Sequence, residues 1–213
     1  KEVLKMIPGS KFIYCADAGL GSYNIRKFNS MGGRAFIVTQ SIKKLSNTLK
    51  EAVFNDYDYK LLSDDSPVTI EEMKHFDRHD PDNLALYKDS AYKVITADKV
   101  LDLGLYEDVV LKNGRTVQRK AKGVLNQRII ITFSRKMMEY QRAVRDRQIE
   151  RAKKLLALKD LEEIKKGPND VRRFMKRVSK TKSGEKAVVE YTLDESKIAE
   201  DEKYDGYYAV ATN

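Results

Sequence analysis

The sequence is poor in the residues that build disulfides and soft-metal sites. It has one cysteine, Cys15, and two histidines in 213 residues. A single cysteine excludes an internal disulfide, and inside an apolar run it reads as a small buried core residue. His75 and His79 stand four apart, where one helical face would carry both, with Asp77 and Asp80 nearby. A zinc site needs a third ligand in the right place and support behind it, and the sequence does not supply them. A solvated helix end is the expectation. No apolar run approaches the ~20 residues that cross a bilayer, and no signal peptide is visible, so a cytoplasmic location without membrane contact is expected. There is no internal repeat, no low-complexity segment and no P-loop.

What is present is charge. Hydrophobic residues make up 41%, enough for a folded core, and charged residues 34%. Lys and Arg number 41 against 32 Asp and Glu, a formal +9 with a pI near 9.4. That balance favours polyanions as partners, although many basic proteins have no such partner.

The clearest local pattern runs from Lys11 to Gln40. Phe12 to Ala16 is an apolar run of strand length that ends abruptly in Asp17. Ala18, Gly19 and Gly21 form a turn. Ser22 is placed to cap a helix that turns Ile25 and Phe28 inward and stops at Gly32-Gly33. Ala35 to Thr39 is a second apolar run. Strand, helix, strand in this order predicts two parallel, neighbouring strands, with Asp17 at a carboxyl end, where open α/β sheets gather their chemistry. A carboxylate there, beside small residues that leave space, suits a divalent-metal site for hydrolysis or phosphoryl transfer. It equally suits a solvated Asp that starts a turn. Gly19-Leu20-Gly21 is part of a dinucleotide fingerprint, but the third glycine position is Asn24 and the pattern fails.

Further along, Ser41 or Ser46 caps an expected helix through Leu45, Leu49, Val53 and Phe54. The polar, tyrosine-rich segment Asn55 to Asp65 reads as loop, and Val68 to Arg78 as a short helix. From Tyr87 onward short runs with β-branched residues appear. Asn113-Gly114 predicts a hairpin between Val109-Leu111 and Thr116-Val117, and Gln127 to Phe133 predicts a strand. Ser134 caps a helix over roughly Arg135 to Lys166. Asn169 or Asp170 starts another helix over VRRFMKRVSK. Lys186 to Leu193 and Tyr207 to Thr212 read as strands, joined by an acidic stretch. A parallel unit, then small antiparallel strands and a long basic helix, then strands again, reads as one fold carrying an insertion. The expected division is 1–54 core, 55–203 insertion and 204–213 a returning core strand.

Two rows of cations stand out: Arg135, Lys136, Arg142, Arg145 and Arg151, then Arg172, Arg173 and Lys176. Such rows follow a phosphate backbone by displacing counterions. They are also what a solvated helix face with ion pairs looks like, as between Glu150 and Lys154.

Three stretches together carry a resemblance: YCADAGLGSYNIRKFNSMGGRAFIVTQSIKKL, QRIIITFSRKMMEYQRAVRDRQIERAKKLL and DGYYAVATN. They resemble DDE-type transposases of bacterial insertion sequences, in the group whose catalytic domain is interrupted by an insertion. The resemblance implies a ribonuclease-H-like parent fold, so the expected fold class is α/β (α+β). It would be a partial mixed sheet with an inserted subdomain of small antiparallel strands and long basic helices. It implies a polynucleotidyl transferase whose two Asp and one Glu hold two Mg²⁺ (or Mn²⁺) ions. Such an enzyme cleaves double-stranded DNA at element ends and joins it to target DNA, acting as a homodimer on the bacterial nucleoid.

Asp17 matches the second aspartate of that family, as a catalytic metal ligand. Lys43, Lys44 and the basic rows become candidate phosphate contacts. The first Asp is expected upstream of Lys1. The Glu is expected downstream of Asn213, in a Tyr, Arg, Glu, Lys signature. Glu190, Glu195 and Asp205 sit in no matching motif. The chain has no initial methionine and ends directly after a strand-like run, so a fragment, inactive as given, is expected. A non-catalytic nucleic-acid-binding module remains the alternative.

Overall fold

The computed structural model describes residues 11–157, 170–180 and 188–213, with the backbone alone at 179, 180, 188 and 189. It is a mixed α/β molecule with a mixed sheet and helices.

The N-terminal unit forms as its local signals dictate. Strand β1 (Ile13–Ala16), helix α1 (Tyr23–Asn29) and strand β2 (Ala35–Thr39) follow one another. Ser22 caps α1, accepting a hydrogen bond from the Ile25 amide at 3.4 Å. Beyond the helix, Gly32 and Gly33 take φ of +64° and +73°, which a side chain would strain. β1 and β2 pair in parallel, with Ile13 opposite Ala35 and Ala16 opposite Val38.

The chain divides into two compact units. The first comprises the described residues up to His75, Asp89–Phe133 and Tyr208–Asn213. It holds a six-stranded sheet of order β1-β2-β10-β7-β4-β3, where β3 is Lys60–Leu61, β4 Ala91–Thr96, β7 Arg128–Phe133 and β10 Tyr207–Thr212. β10 runs antiparallel to β2, Val210 facing Thr39, and β4 antiparallel to β7 over six pairs. The strands at 91–96 and 128–133, expected within the insertion, therefore lie in the same sheet as β1 and β2. Neighbours in the sheet are far apart in sequence, so local pattern does not reveal which sheet a strand joins.

One face of this sheet is dry. Phe36, Val38, Ala91, Ile129, Ile131, Phe133, Ala209 and Ala211 are all buried there. The alternate residues Ile13, Ile37, Val94 and Tyr208 are exposed, as is Cys15. The expectation of a fully buried first strand with a buried thiol is thus corrected. β1 alternates because only one of its faces is covered.

Ser46, not Ser41, caps helix α2 (Asn47–Phe54). Ser41 precedes a single 3₁₀ turn, Ile42–Lys44. The expected loop at 55–65 contains β3 and is pinned from inside. Tyr59 is buried and its hydroxyl donates to the Val53 carbonyl at 2.7 Å. Buried Lys93 donates to the carbonyls of Asn55 and Tyr57 at 3.1 and 2.7 Å, and desolvation lowers its pKa. The helix expected over Val68 to Arg78 shortens to α3 (Ile70–Met73), opened by a capping box between Thr69 and Glu72.

The second unit comprises Phe76–Lys88 and the described residues from Ser134 to Tyr207. It contains α4 (Leu84–Lys88), α5 (Arg135–Ala157), a 3₁₀ turn at Val171–Phe174, β8 (Met175–Lys180), β9 (Val188–Leu193) and α6 (Glu195–Glu202). The part of the expected long helix beyond Ala157 lies outside the described residues. The helix expected over VRRFMKRVSK is a single 3₁₀ turn followed by a strand. Asp170 caps the Arg172 amide, and then Met175–Lys180 pairs antiparallel with Val188–Leu193. Cross-strand pairing overrides local helical spacing here. Among the described residues no helix is long and apolar enough to cross a membrane.

Candidate functional site

Asp17 is the first residue past β1. Its Oδ1 accepts hydrogen bonds from the amides of Gly19 and Leu20, at 3.0 and 3.1 Å. Its own carbonyl accepts from the Leu20 amide at 3.3 Å. The carboxylate therefore shapes the turn with one oxygen, and Oδ2 has no hydrogen-bond partner among the described residues. The side chain is exposed. Both readings of Asp17 retain a physical basis: it builds a turn and still presents one oxygen to solvent.

The turn is tight for a reason. A Cβ at Gly21 would meet Cβ and Cγ2 of Val38 at 3.2 Å, so the chain lies against β2 where only glycine fits comfortably. Arg26, buried on α1, holds the turn from below. Its Nε donates to the Gly21 carbonyl at 2.9 Å and its Nη1 to Oε1 of Gln127 at 3.1 Å. Burial pulls this guanidinium below the usual arginine range, partly opposed by Tyr23.

Because β1 and β2 are parallel, their carboxyl ends coincide. The last registered pair is Ala16 opposite Val38, so Asp17 and Thr39 are the next residue on each strand, and Oγ1 of Thr39 is 2.9 Å from the Tyr208 hydroxyl. The 3₁₀ turn bearing Lys43 and Lys44 follows directly, and both lysines are exposed. One rim of the sheet thus gathers a carboxylate, two hydroxyls and two lysines. The Thr39–Tyr208 pair was not legible in the sequence, because it spans 169 positions and forms only when β10 docks beside β2.

The other basic candidates lie in the second unit and divide into two kinds. Lys136, Arg151 and Lys176 are exposed. The rest are engaged with acids. Arg135 lies 3.2 Å from Glu139 and Arg172 3.6 Å from Asp170. Arg142 is 3.7 Å from Asp205. Arg173 is 2.9 Å from Asp201, donates to Gln148 at 3.0 Å and lies over the Phe174 ring. Arg145 is a correction: it is buried, 2.7 Å from Asp205 and 3.4 Å from Glu202. On α5, Met138, Arg145 and Ala152 are the buried residues. Their seven-residue spacing puts Arg145 on the inner stripe, not on a surface that meets phosphate.

A metal would find one ligand oxygen at Asp17. Among the described residues no group of three His, Cys, Asp or Glu converges. A single carboxylate fits a divalent ion as one member of a ligand set, not as a whole site. His79 accepts from Nε of Arg78 at 3.0 Å, and Nδ1 of His75 lies 2.8 Å from the Glu71 carbonyl. Both arrangements suit the solvated reading of the histidines. No protein-family model, curated protein or solved structure matches this chain.

Proposed function

We propose that this chain is part of a metal-dependent DNA transposase of the DDE type, and that Asp17 is one of its metal-binding carboxylates. The observation that carries the reading is the Oδ2 of Asp17, without a hydrogen-bond partner among the described residues, at the carboxyl end of a strand paired in parallel with β2. The resemblance of Tyr14 to Leu45 to the second-aspartate region of that family supports it.

In this reading the amides of Gly19 and Leu20 fix the carboxylate through Oδ1, so that Oδ2 is aimed before any ligand arrives. Two Mg²⁺ or Mn²⁺ ions, when bound by the complete set of carboxylates, supply activation of the attacking oxygen and stabilisation of the leaving one. Lys43 and Lys44, at the same rim, attract the DNA backbone. The small residues Ala18 and Gly19 leave room for a phosphodiester beside the carboxylate.

The test is strand cleavage and joining by a protein that carries these residues together with the family's other two carboxylates. Asp17→Asn keeps an oxygen for the turn and removes the charge, and should lower cleavage about 100-fold or more while DNA binding persists. Unchanged cleavage would overturn the assignment. It would leave the second reading, a nucleic-acid-binding module in which Asp17 only builds the turn through its bonds from Gly19 and Leu20.

A further inference from the structure

Strands β5 (Lys99–Val110) and β6 (Thr116–Leu125) pair only with each other among the described residues. They meet at the Asn113-Gly114 turn, where Gly114 takes φ +80°. At about 3.3 Å per residue this ribbon reaches ~30 Å from its root. The root is a set of hydrogen bonds around Gln127, which is 5% exposed. The Ala97 amide donates to the Gln127 carbonyl at 2.9 Å. The Gln127 amide donates to Oδ1 of Asp98 at 3.0 Å, and its Nε2 donates to the Ala97 carbonyl at 2.9 Å. Its remaining side-chain atom, Oε1, accepts from Nη1 of Arg26 at 3.1 Å.

Helix α1 meets the root at two further points. Nζ of Lys27 donates to the Val124 carbonyl at 2.6 Å. Nζ of Lys99 lies 4.4 Å from the centre of the Tyr23 ring, and the Arg26 guanidinium 5.3 Å from the same ring. The other end of Arg26 is fastened to the turn after β1, where Nε donates to the Gly21 carbonyl at 2.9 Å. Gly21 is pressed against Val38, and the Gly19 and Leu20 amides just before it hold Oδ1 of Asp17. Through the sheet, β1 and β7 are separated by β2 and β10. Through Arg26, the Asp17 turn and the residue that precedes β7 are one side chain apart.

We propose that Arg26 is a positioning residue that ties the aim of Asp17 to the pose of the ribbon, with Gln127 as the pivot between them. The physical reason is burial. Arg26 is 4% exposed, and both acceptors that hold it are neutral. A buried guanidinium loses an acceptor only at a cost. If the root tilts and Oε1 withdraws, Arg26 must follow it or find another acceptor, and either move pulls on the Gly21 carbonyl. Oδ2 of Asp17 then changes direction, because the amides that fix Oδ1 lie on the same turn. A load on the ribbon is thereby felt at a carboxylate remote from it in sequence. The link concerns the aim of Asp17 whatever that carboxylate holds, so it does not rest on the transposase reading.

Amide hydrogen exchange on the whole chain, read by NMR, tests the link. Gln127→Leu removes the acceptor of Arg26, and the Gly19 and Leu20 amides should then exchange about five- to tenfold faster, the weight of one hydrogen bond. Asp98→Ala changes an exposed residue that bonds to neither Arg26 nor the turn. It should act in the same direction by loosening the Gln127 amide. Arg26→Met combined with Gln127→Leu should speed these amides no more than Arg26→Met alone, because both break one link, whereas independent supports would multiply. Coupling is reciprocal, so Asp17→Ala should speed exchange severalfold at the Ala97 and Gln127 amides.

Parental exchange at Gly19 and Leu20 in a Gln127→Leu chain whose β4 and β7 amides stay protected overturns the proposal. If those strands open as well, the variant has lost its fold and Asp98→Ala decides, unchanged exchange at Gly19 and Leu20 again overturning the link. So does an Asp17→Ala chain that keeps the parental rates at Ala97 and Gln127.

Discussion

Arg145 and Asp205 form a buried ion pair 60 positions apart, with Nη1 and Oδ1 2.7 Å from each other and both side chains 6% exposed. Charges removed from water this far hold only while each has its partner. Arg145→Met leaves the buried Asp205 carboxylate with only the longer contact to Arg142, at 3.7 Å, and should cost about 3 kcal/mol in urea unfolding. Adding Asp205→Leu should recover most of that loss. Equal instability of the single and double variants would show that the charge pairing is not what holds this position.

The turn after β1 separates the structural role of Asp17 from its proposed chemical one. Asp17→Asn should leave stability within about 0.5 kcal/mol, because a carbonyl oxygen can still accept from Gly19 and Leu20. Asp17→Ala should cost about 1 kcal/mol by removing both bonds. A thermal or urea unfolding series on the three proteins reads this independently of any DNA reaction.

Gly21 should not tolerate a methyl group. A Cβ there would sit 3.2 Å from two atoms of Val38, and Gly21→Ala should destabilise by about 1–3 kcal/mol through overpacking. A smaller loss in Gly21→Ala/Val38→Ala than the separate changes predict would identify that clash as the cause.

DNA affinity, where it is found, should depend on the exposed cations. Neutralising Lys136, Arg151 and Lys176 should reduce the slope of log K against log salt by roughly 0.9 for each phosphate no longer neutralised. Arg145 variants should change binding only as far as they unfold the second unit. An unchanged slope in the triple variant would remove these three cations from the interface.

Acid should weaken the first unit. The Gly104 amide and Lys120 hold the Asp102 carboxyl below its usual pKa, and Thr69 does the same for Glu72. A carboxylate with a depressed folded pKa contributes stability above its unfolded pKa and loses it as pH falls through the folded one. Stability from these groups is therefore present at neutral pH and declines below about pH 4. NMR titration of the two carboxyl carbons, set beside urea midpoints across that range, checks the sign.

The segment from β1 to β2 was legible in the sequence because each of its signals is local. An apolar run, a capping Ser22, a pair of glycines and a second run all lie close together along the chain, and the crossover rule makes the strands parallel. The Asn113-Gly114 hairpin is legible for the same reason. Asp17 could be picked out as the residue that closes a strand, since that needs no knowledge of distant neighbours.

Three features needed the tertiary structure. Cys15 is exposed because the sheet is covered on one face, which no count of apolar residues reveals. Arg145 is a buried ion-pair partner because α5 turns it toward Asp205, 60 positions away, while in sequence it matches the exposed Arg151. Residues 175–180 are a strand because β9 supplies the backbone hydrogen bonds. In each case the deciding energy comes from a long-range contact, and composition and local spacing do not encode which distant residue will provide it.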